Sequence, residues 1–319
     1  MTTTLVILPT ATGWTASETP ASSAPTSPAS RIPEVTVTAR RLELEQSVAK
    51  FVNQIAATEN GGEGLARWEV PAVCPLVSGL SRQDGEFILG RLSQIAHEAG
   101  VPLADEHCRP NLYILVTTQP EDLLKGMEKR NRSFTFGYDR SFYPPTETPA
   151  SVVDEFIKTP RAVRVWYSSA EEDAWGQPLA YCQSNLVLPQ CPQAGPAACD
   201  PNRYYRCGPA IAGGSHLVFN AVWSLSRVFV IVDRTRLKGV TLGQLADYVA
   251  LSGFAKLKPD ARLGDSPTIL TLFNGAPKAA PAGMAEWDRI FLKSLYATEQ
   301  KSRLQRSQIA HRMVHEIAP

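Results

Sequence analysis

Apolar positions recur along this chain with two periods, 3.6 in some stretches and 2 in others. Leu44, Val48, Phe51, Val52 and Ile55 fall on one stripe and predict a helix over 42–58, broken by Gly61, Gly62 and Gly64. Residues 67–77 read as a strand with a proline interruption. Ser81 followed by Asp84 is a helix start signal. The stripe behind it is Phe87, Ile88, Leu92, Ile95, Ala96 and Ala99, and Gly100 stops the helix. A strand is expected over 111–117, a helix over 120–132, an irregular aromatic stretch over 134–148, and an alternating strand over 162–167.

The second half continues in the same way. Residues 215–223 and 227–233 read as two strands, and the solid apolar run of the latter predicts a central, doubly covered position. Thr241 and Gln244 form a capping box. The helix after it turns Leu242, Leu245, Ala246, Val249 and Ala250 inward and ends at Gly253. A last amphipathic helix over 285–296 carries Trp287, Ile290, Phe291 and Leu295. Residues 299–318 read as a polar, mildly basic helical tail. No internal repeat is visible.

Composition narrows the class. The chain has 319 residues, 44% of them hydrophobic and 20% charged, enough for a sizeable core. Lys plus Arg number 32 against 31 Asp plus Glu, so there is no bulk attraction to nucleic acid or acidic membranes. No apolar run nears the roughly 18 residues of a transmembrane helix.

Six cysteines stand at Cys74, Cys108, Cys182, Cys191, Cys199 and Cys207. An even count fits disulfides in an exported protein. Cys74 and Cys108 flank two elements expected to be neighbours and are the first pair expected to be joined. The other four sit in a proline-rich stretch, 176–210, that reads as an insertion held by local cross-links. Free thiols and a four-cysteine zinc site are the alternatives. The spacings of eight, seven and seven residues lack the close cysteine pairs of such sites.

Residues 1–40 read as a disordered linker or the remnant of a signal region. Residues 1–30 hold no Lys or Arg, so the charged start of a signal peptide is missing, yet 5–8 and 11–16 fit the end of one. The Ser/Pro/Ala/Thr-rich run after them cannot bury apolar area. Residues 34–41, EVTVTARR, are similar to the short segment at the mature N-terminus of TonB-dependent outer-membrane receptors. A chain of 319 residues leaves no room here for such a barrel, and the segment reads as a β-prone patch ending the linker.

Ala246, Asp247, Tyr248, Val249, Ala250, Leu251, Ser252 and Gly253 carry a further resemblance. The octet is similar to the zinc-site helix of the zincin metalloproteases, H-E-x-x-H-x-x-G, in its matrixin-like branch. The strand before it, the Ser-Pro-Thr-Ile segment at 266–269, and the helix with Asp288 near its start and Leu295-Tyr296 at its end follow the same order. The resemblance implies an α+β fold: a zincin-like mixed sheet, a site helix and C-terminal helices, with the cysteine-rich insertion. A single domain would span 41–298 and a polar helical tail 299–319. The resemblance also removes an activity. Ala246 and Ala250 stand where two zinc-binding histidines belong, and Asp247 where the general base belongs. No His follows in 254–260, so no metal or cofactor is expected. Without a Lewis acid, water keeps a pKa of about 15.7 and supplies no nucleophile at neutral pH.

The remaining constellations read as structural. His311 and His315 share a helix face in the polar tail and read as surface. Ser215 and His216 follow a glycine pair, but neighbours on a strand point to opposite faces and cannot act as nucleophile and base. His216, Ser215 and Tyr248 remain candidates for lining a cleft. Glu171, Glu172 and Asp173 lack the alternation of a calcium loop. The functional expectation is a non-catalytic, periplasmic or secreted protein that binds a peptide or an envelope protein in the former protease cleft. The alternative is a metal-independent hydrolase using Asp247, Tyr248, His216 or Ser215. The oligomeric state is not legible.

Overall fold

A computed structural model describes residues 33–58, 64–139, 146–172, 180–183, 204–207, 222–264, 266–273 and 281–318. Met1–Ala39 and Arg40–Pro319 are separate units. The first is described only by the helical backbone that starts at Pro33. The second holds the sheets and all the other helices.

Helix α1 (Pro33–Ile55) precedes β1 (Pro75–Ser78), α2 (Arg82–Ala99), β2 (Leu112–Thr117) and α3 (Pro120–Phe136). The hairpin β3 (Tyr138–Asp139) and β4 (Thr146–Glu147), α4 (Ala150–Lys158) and β5 (Val163–Glu172) come next. Strands β6 (Ala180–Gln183) and β7 (Tyr204–Cys207) pair antiparallel. After them come β8 (Val222–Asp233), α5 (Leu242–Phe254), a short 3-10 helix (Ile269–Phe273), α6 (Glu286–Ala297) and α7 (Gln305–Ile317).

The fold is α+β, built on a four-stranded mixed sheet in the order β1-β2-β8-β5. The first three strands run parallel and β5 runs antiparallel to β8. Side chains alternate across a strand, and this sheet is apolar on both faces. Leu112, Ile114 and Val116 of β2 and Val228, Val230 and Val232 of β8 face a core formed with α1, α2, α5, α6 and α7. Tyr113, Leu115, Phe229 and Ile231 face a smaller cluster with α3 and α4. Burial on both faces explains why 228–232 is an unbroken apolar run. Each fully buried Val, Leu or Ile contributes about 1.5–3 kcal/mol.

Local chemistry shapes the helices as the pattern predicts. Ser81 accepts from the Asp84 N–H at 3.1 Å, and Gly100 closes α2 in the left-handed region at φ 75°. Cys74 and Cys108 are disulfide-bonded. Val48, Phe51, Val52 and Ile55 are fully buried.

Several expectations are corrected. Residues 34–41 are helical, not β-prone. Proline suits a first helical turn because it has no N–H to lose, and a helix anchored by the buried face of Val48, Phe51, Val52 and Ile55 propagates backwards at one hydrogen bond per residue. Phe87 stands 48% exposed at the edge of its stripe. The strand expected over 67–77 is regular only from Pro75, with Arg67 making single bridges to Ser224 and Ala255. From Val222 onward the two strands expected over 215–233 are one. Helix α4, not among the expected elements, carries Val153 and Ile157 one turn apart in the small cluster. The tail after Glu299 has a core face, Ile309, Ala310, Met313 and Val314.

Gly253 does not end α5, which runs on to Phe254. A Cβ there would lie 3.1 Å from Leu112 Cδ2, so the glycine lets the helix approach the sheet. The last carbonyls of α5 find side-chain donors. Trp68 Nε1 donates to the Gly253 carbonyl at 2.7 Å, and Tyr296 Oη to that of Phe254 at 2.7 Å. These bonds satisfy orphan groups of the helix end.

Candidate binding cleft

Helix α5 starts with reciprocal bonds. Gln244 N–H donates to Thr241 Oγ1 at 3.2 Å, and Thr241 N–H to Gln244 Oε1 at 2.9 Å. Its three faces have different fates. Ala246 and Ala250 are fully buried in the main core. Asp247 faces α2. Tyr248 and Ser252, one turn apart, face a cleft.

Asp247 is 3% exposed and fully engaged. Arg91 donates to it through Nε at 2.6 Å and Nη2 at 3.1 Å, and the Met284 N–H donates at 2.6 Å. The pairing raises the Arg91 guanidinium above its ordinary value through the hydrogen bond to Asp247. Gly283 makes room, since a Cβ there would lie 2.7 Å from Asp247 Oδ2. Asp247 thus ties α5 to α2 and to the turn before α6. Three donors hold its two oxygens, and it is committed to this structural tie.

Zinc does not fit the positions where the zincin resemblance would seat it. Ala246 and Ala250 bring no donor atom, and Asp247 is held by Arg91. Among the described residues no group of three or more His, Cys, Asp or Glu is gathered for a metal. His311 and His315 are exposed on α7, stacked edge to face at 4.6 Å.

The cleft encloses about 780 Å³ between β5, the far end of α5 and the 3-10 helix. Val163, Val165 and Tyr167 of β5 form one wall. Tyr248, Leu270, Leu272 and Phe273 form the apolar floor. Tyr248 packs edge-on against Phe273 at 4.9 Å. Burial pushes its phenol up to about 12, so it is a neutral hydroxyl at physiological pH. Tyr167 Oη donates to the Ser252 carbonyl at 2.8 Å, which joins the wall to the floor.

Among the described residues the wall is an edge of the sheet. Asp233 N–H donates to the Ala162 carbonyl at 2.8 Å. With Val163 opposite Val232, the hydrogen-bonded pairs are then Arg164 with Ile231 and Trp166 with Phe229. The N–H and C=O groups of Val163, Val165 and Tyr167 point away from β8. Among the described residues no strand pairs with them.

The candidate residues named from the sequence are thus scattered. Tyr248 lines the cleft. Asp247 sits behind it in an ion pair, and Ala246 and Ala250 are core. Ser215 and His216 lie outside the described residues, as do Cys191 and Cys199. Cys182 and Cys207 lie on β6 and β7, described by backbone alone. Glu171 and Glu172 end β5. Sequence reasoning missed Arg91, Phe273 and the β5 edge. Arg91 had a signal, since it stands three residues after Ile88 at the margin of a buried stripe.

A second buried carboxylate lies nearby. Asp288 is fully buried, and its Oδ2 accepts from the Ile269 N–H at 2.7 Å and the Ala285 N–H at 3.0 Å. Burial pushes its carboxyl up to about 6 despite these bonds, with Asp247 adding to the rise. An unfolded Asp titrates near 3.9. Between roughly pH 4 and 6 the folded chain therefore holds a proton that the unfolded chain has released. This group's contribution is full below pH 4 and is lost as pH rises through 6, a loss of about 2–3 kcal/mol. Thermal unfolding of the wild type and Asp288→Asn across this range checks it. The wild type gains on the variant as pH falls. Parallel curves would contradict the assignment.

Neither a known protein family, a curated protein nor a solved structure matches this chain.

Proposed function

We propose that this chain is a non-catalytic exported protein, akin to a degenerate zincin, that captures an extended segment of a peptide or envelope protein by strand addition to β5. The observation that carries the reading is the edge of Val163, Val165 and Tyr167, unpaired among the described residues and standing over an apolar cleft. An added strand takes its affinity from main-chain hydrogen bonds and its specificity from pockets under alternate side chains. The Tyr248 hydroxyl makes no hydrogen bond among the described residues, which leaves it for a ligand.

Three observations support the rest. The helix that the resemblance would make the site helix, α5, carries Ala246 and Ala250 in place of ligands, and its Asp247 is committed to Arg91. A strand (β8), a helix (α5) and a further helix (α6) come in the chain order that the resemblance expects. The Cys74–Cys108 disulfide suits an oxidising compartment such as the periplasm. Asp247 and Tyr248 do not converge on one site, which weighs against a remodelled hydrolase.

Panning a random heptapeptide library on the purified protein tests this. The expected winners carry β-branched or aromatic residues at every second position. Backbone N-methylation at alternate residues, which deletes the ladder donors, should weaken a winner by about tenfold or more. Retention of no peptide, or equal binding of the N-methylated form, would sink the proposal.

A further inference from the structure

We infer that the segment taken up by the β5 edge is acidic, an extended peptide with Glu or Asp on the side chains that face α5. The inference rests on the strand-addition reading and adds the ligand's chemistry to it.

Charge at the cleft is lopsided. Among the described residues, the cations Arg161, Arg236, Lys238 and Lys258, with Lys256 beside them engaged in a contact of its own, line it against the carboxylates of Glu155 and Asp260. The whole chain carries only +1, so the excess is local. Asp260 is already ion-paired with Arg161, and Arg236 reaches Asp233 at the end of β8. Arg164 adds nothing to the excess, because it is buried on the opposite face of the sheet and pairs with Glu121.

The surplus has a direction. Arg236 and Lys238 come from the segment ahead of α5, and Lys258 from the segment behind it. Glu155 stands on α4, which packs the other face. Lys238 is exposed and has no ion-pair partner among the described residues. Lys258 donates to the Asn53 carbonyl at 2.7 Å, a neutral partner that leaves its charge uncompensated. Side chains of an added strand alternate between the sheet's two faces. Those on the α5 side meet the apolar floor and then the cations at its rim. Short carboxylates there gain complementary charge, and lysines in the same places meet like charge.

The test uses three heptapeptides of alternating Val and X, with X as Glu, Thr or Lys, each carrying a neutral fluorophore. Anisotropy titrations with the full-length protein are run at about 0.05 and 0.5 M salt. The Glu peptide should bind about tenfold tighter than the Thr peptide at low salt, with the Lys peptide weakest and the spread narrowing at high salt. Lys238→Glu combined with Lys258→Glu should reverse the order of the Glu and Lys peptides. Equal affinity for all three, or an order the double variant leaves in place, overturns the acidic preference and leaves strand addition standing. Binding of none of them overturns both.

Discussion

Replacing Asp247 by alanine is expected to destabilise the protein by about 3 kcal/mol, because it leaves the Arg91 guanidinium beside the core without its partner. Arg91 gives two bonds to Asp247, and its side chain is 24% exposed, so part of its charge is met by solvent and the loss sits at the low end for a buried pair. The Met284 N–H loses its acceptor as well. Removing both charges together, as Arg91→Met with Asp247→Ala, should recover a large part of the loss, since no charge is then left unpaired. Guanidinium unfolding of the two single variants and the double variant measures this directly. A single Asp247→Ala variant within about 0.5 kcal/mol of wild type would show that the carboxylate is not a structural tie. In that case a chemical role for Asp247 would regain ground.

Breaking the Cys74–Cys108 disulfide is expected to be as damaging. The two cysteines are 34 residues apart. They close a loop that holds β1 and α2, the strand at one edge of the sheet and a helix of the main core. Chain entropy alone gives a cross-link of that span about 4 kcal/mol, by restricting the unfolded chain. The segment between them has its own ties. The Cys74 N–H donates to Asn111 Oδ1 at 2.7 Å, and the Val73 N–H to the Pro102 carbonyl at 2.8 Å. These hold the folded geometry in the reduced protein, so the loss should appear in stability and not in the fold. Cys108→Ser with Cys74→Ser, compared with wild type in guanidinium, should lower the unfolding free energy by about 4 kcal/mol. A loss below about 1 kcal/mol would mean that the unfolded chain stays compact across this segment.

Much of the architecture was legible because local chemistry and burial agree there. The capping box at Thr241 and Gln244, the Ser81 cap, the Gly100 stop and the apolar run of β8 each name one element and its place. What escaped depended on partners far along the chain. Gly253 looks like a stop to a reader of one helix, yet its reason is Leu112, 141 residues away. Asp247 looks like the remnant of a catalytic base, yet Arg91 on another helix claims it. The cleft was illegible for a related reason. Among the described residues its wall, β5, is the last strand in the sheet order, and strand order is set by tertiary packing that no window of sequence contains. Its cations come from three separate segments that read singly as ordinary surface charge.

Residue-resolved amide hydrogen exchange of β5, with and without a bound peptide, is the most direct check on the open edge. In the free protein the amides of Arg164 and Trp166, which face β8, should be protected, while those of Val163, Val165 and Tyr167 should exchange faster. Saturating Glu-Val peptide should slow the second set and leave the first unchanged. Protection of Val163, Val165 and Tyr167 already in the free protein would mean that the edge is paired by the chain itself. No slowing on binding would place the peptide elsewhere, and either result would contradict capture by strand addition at β5.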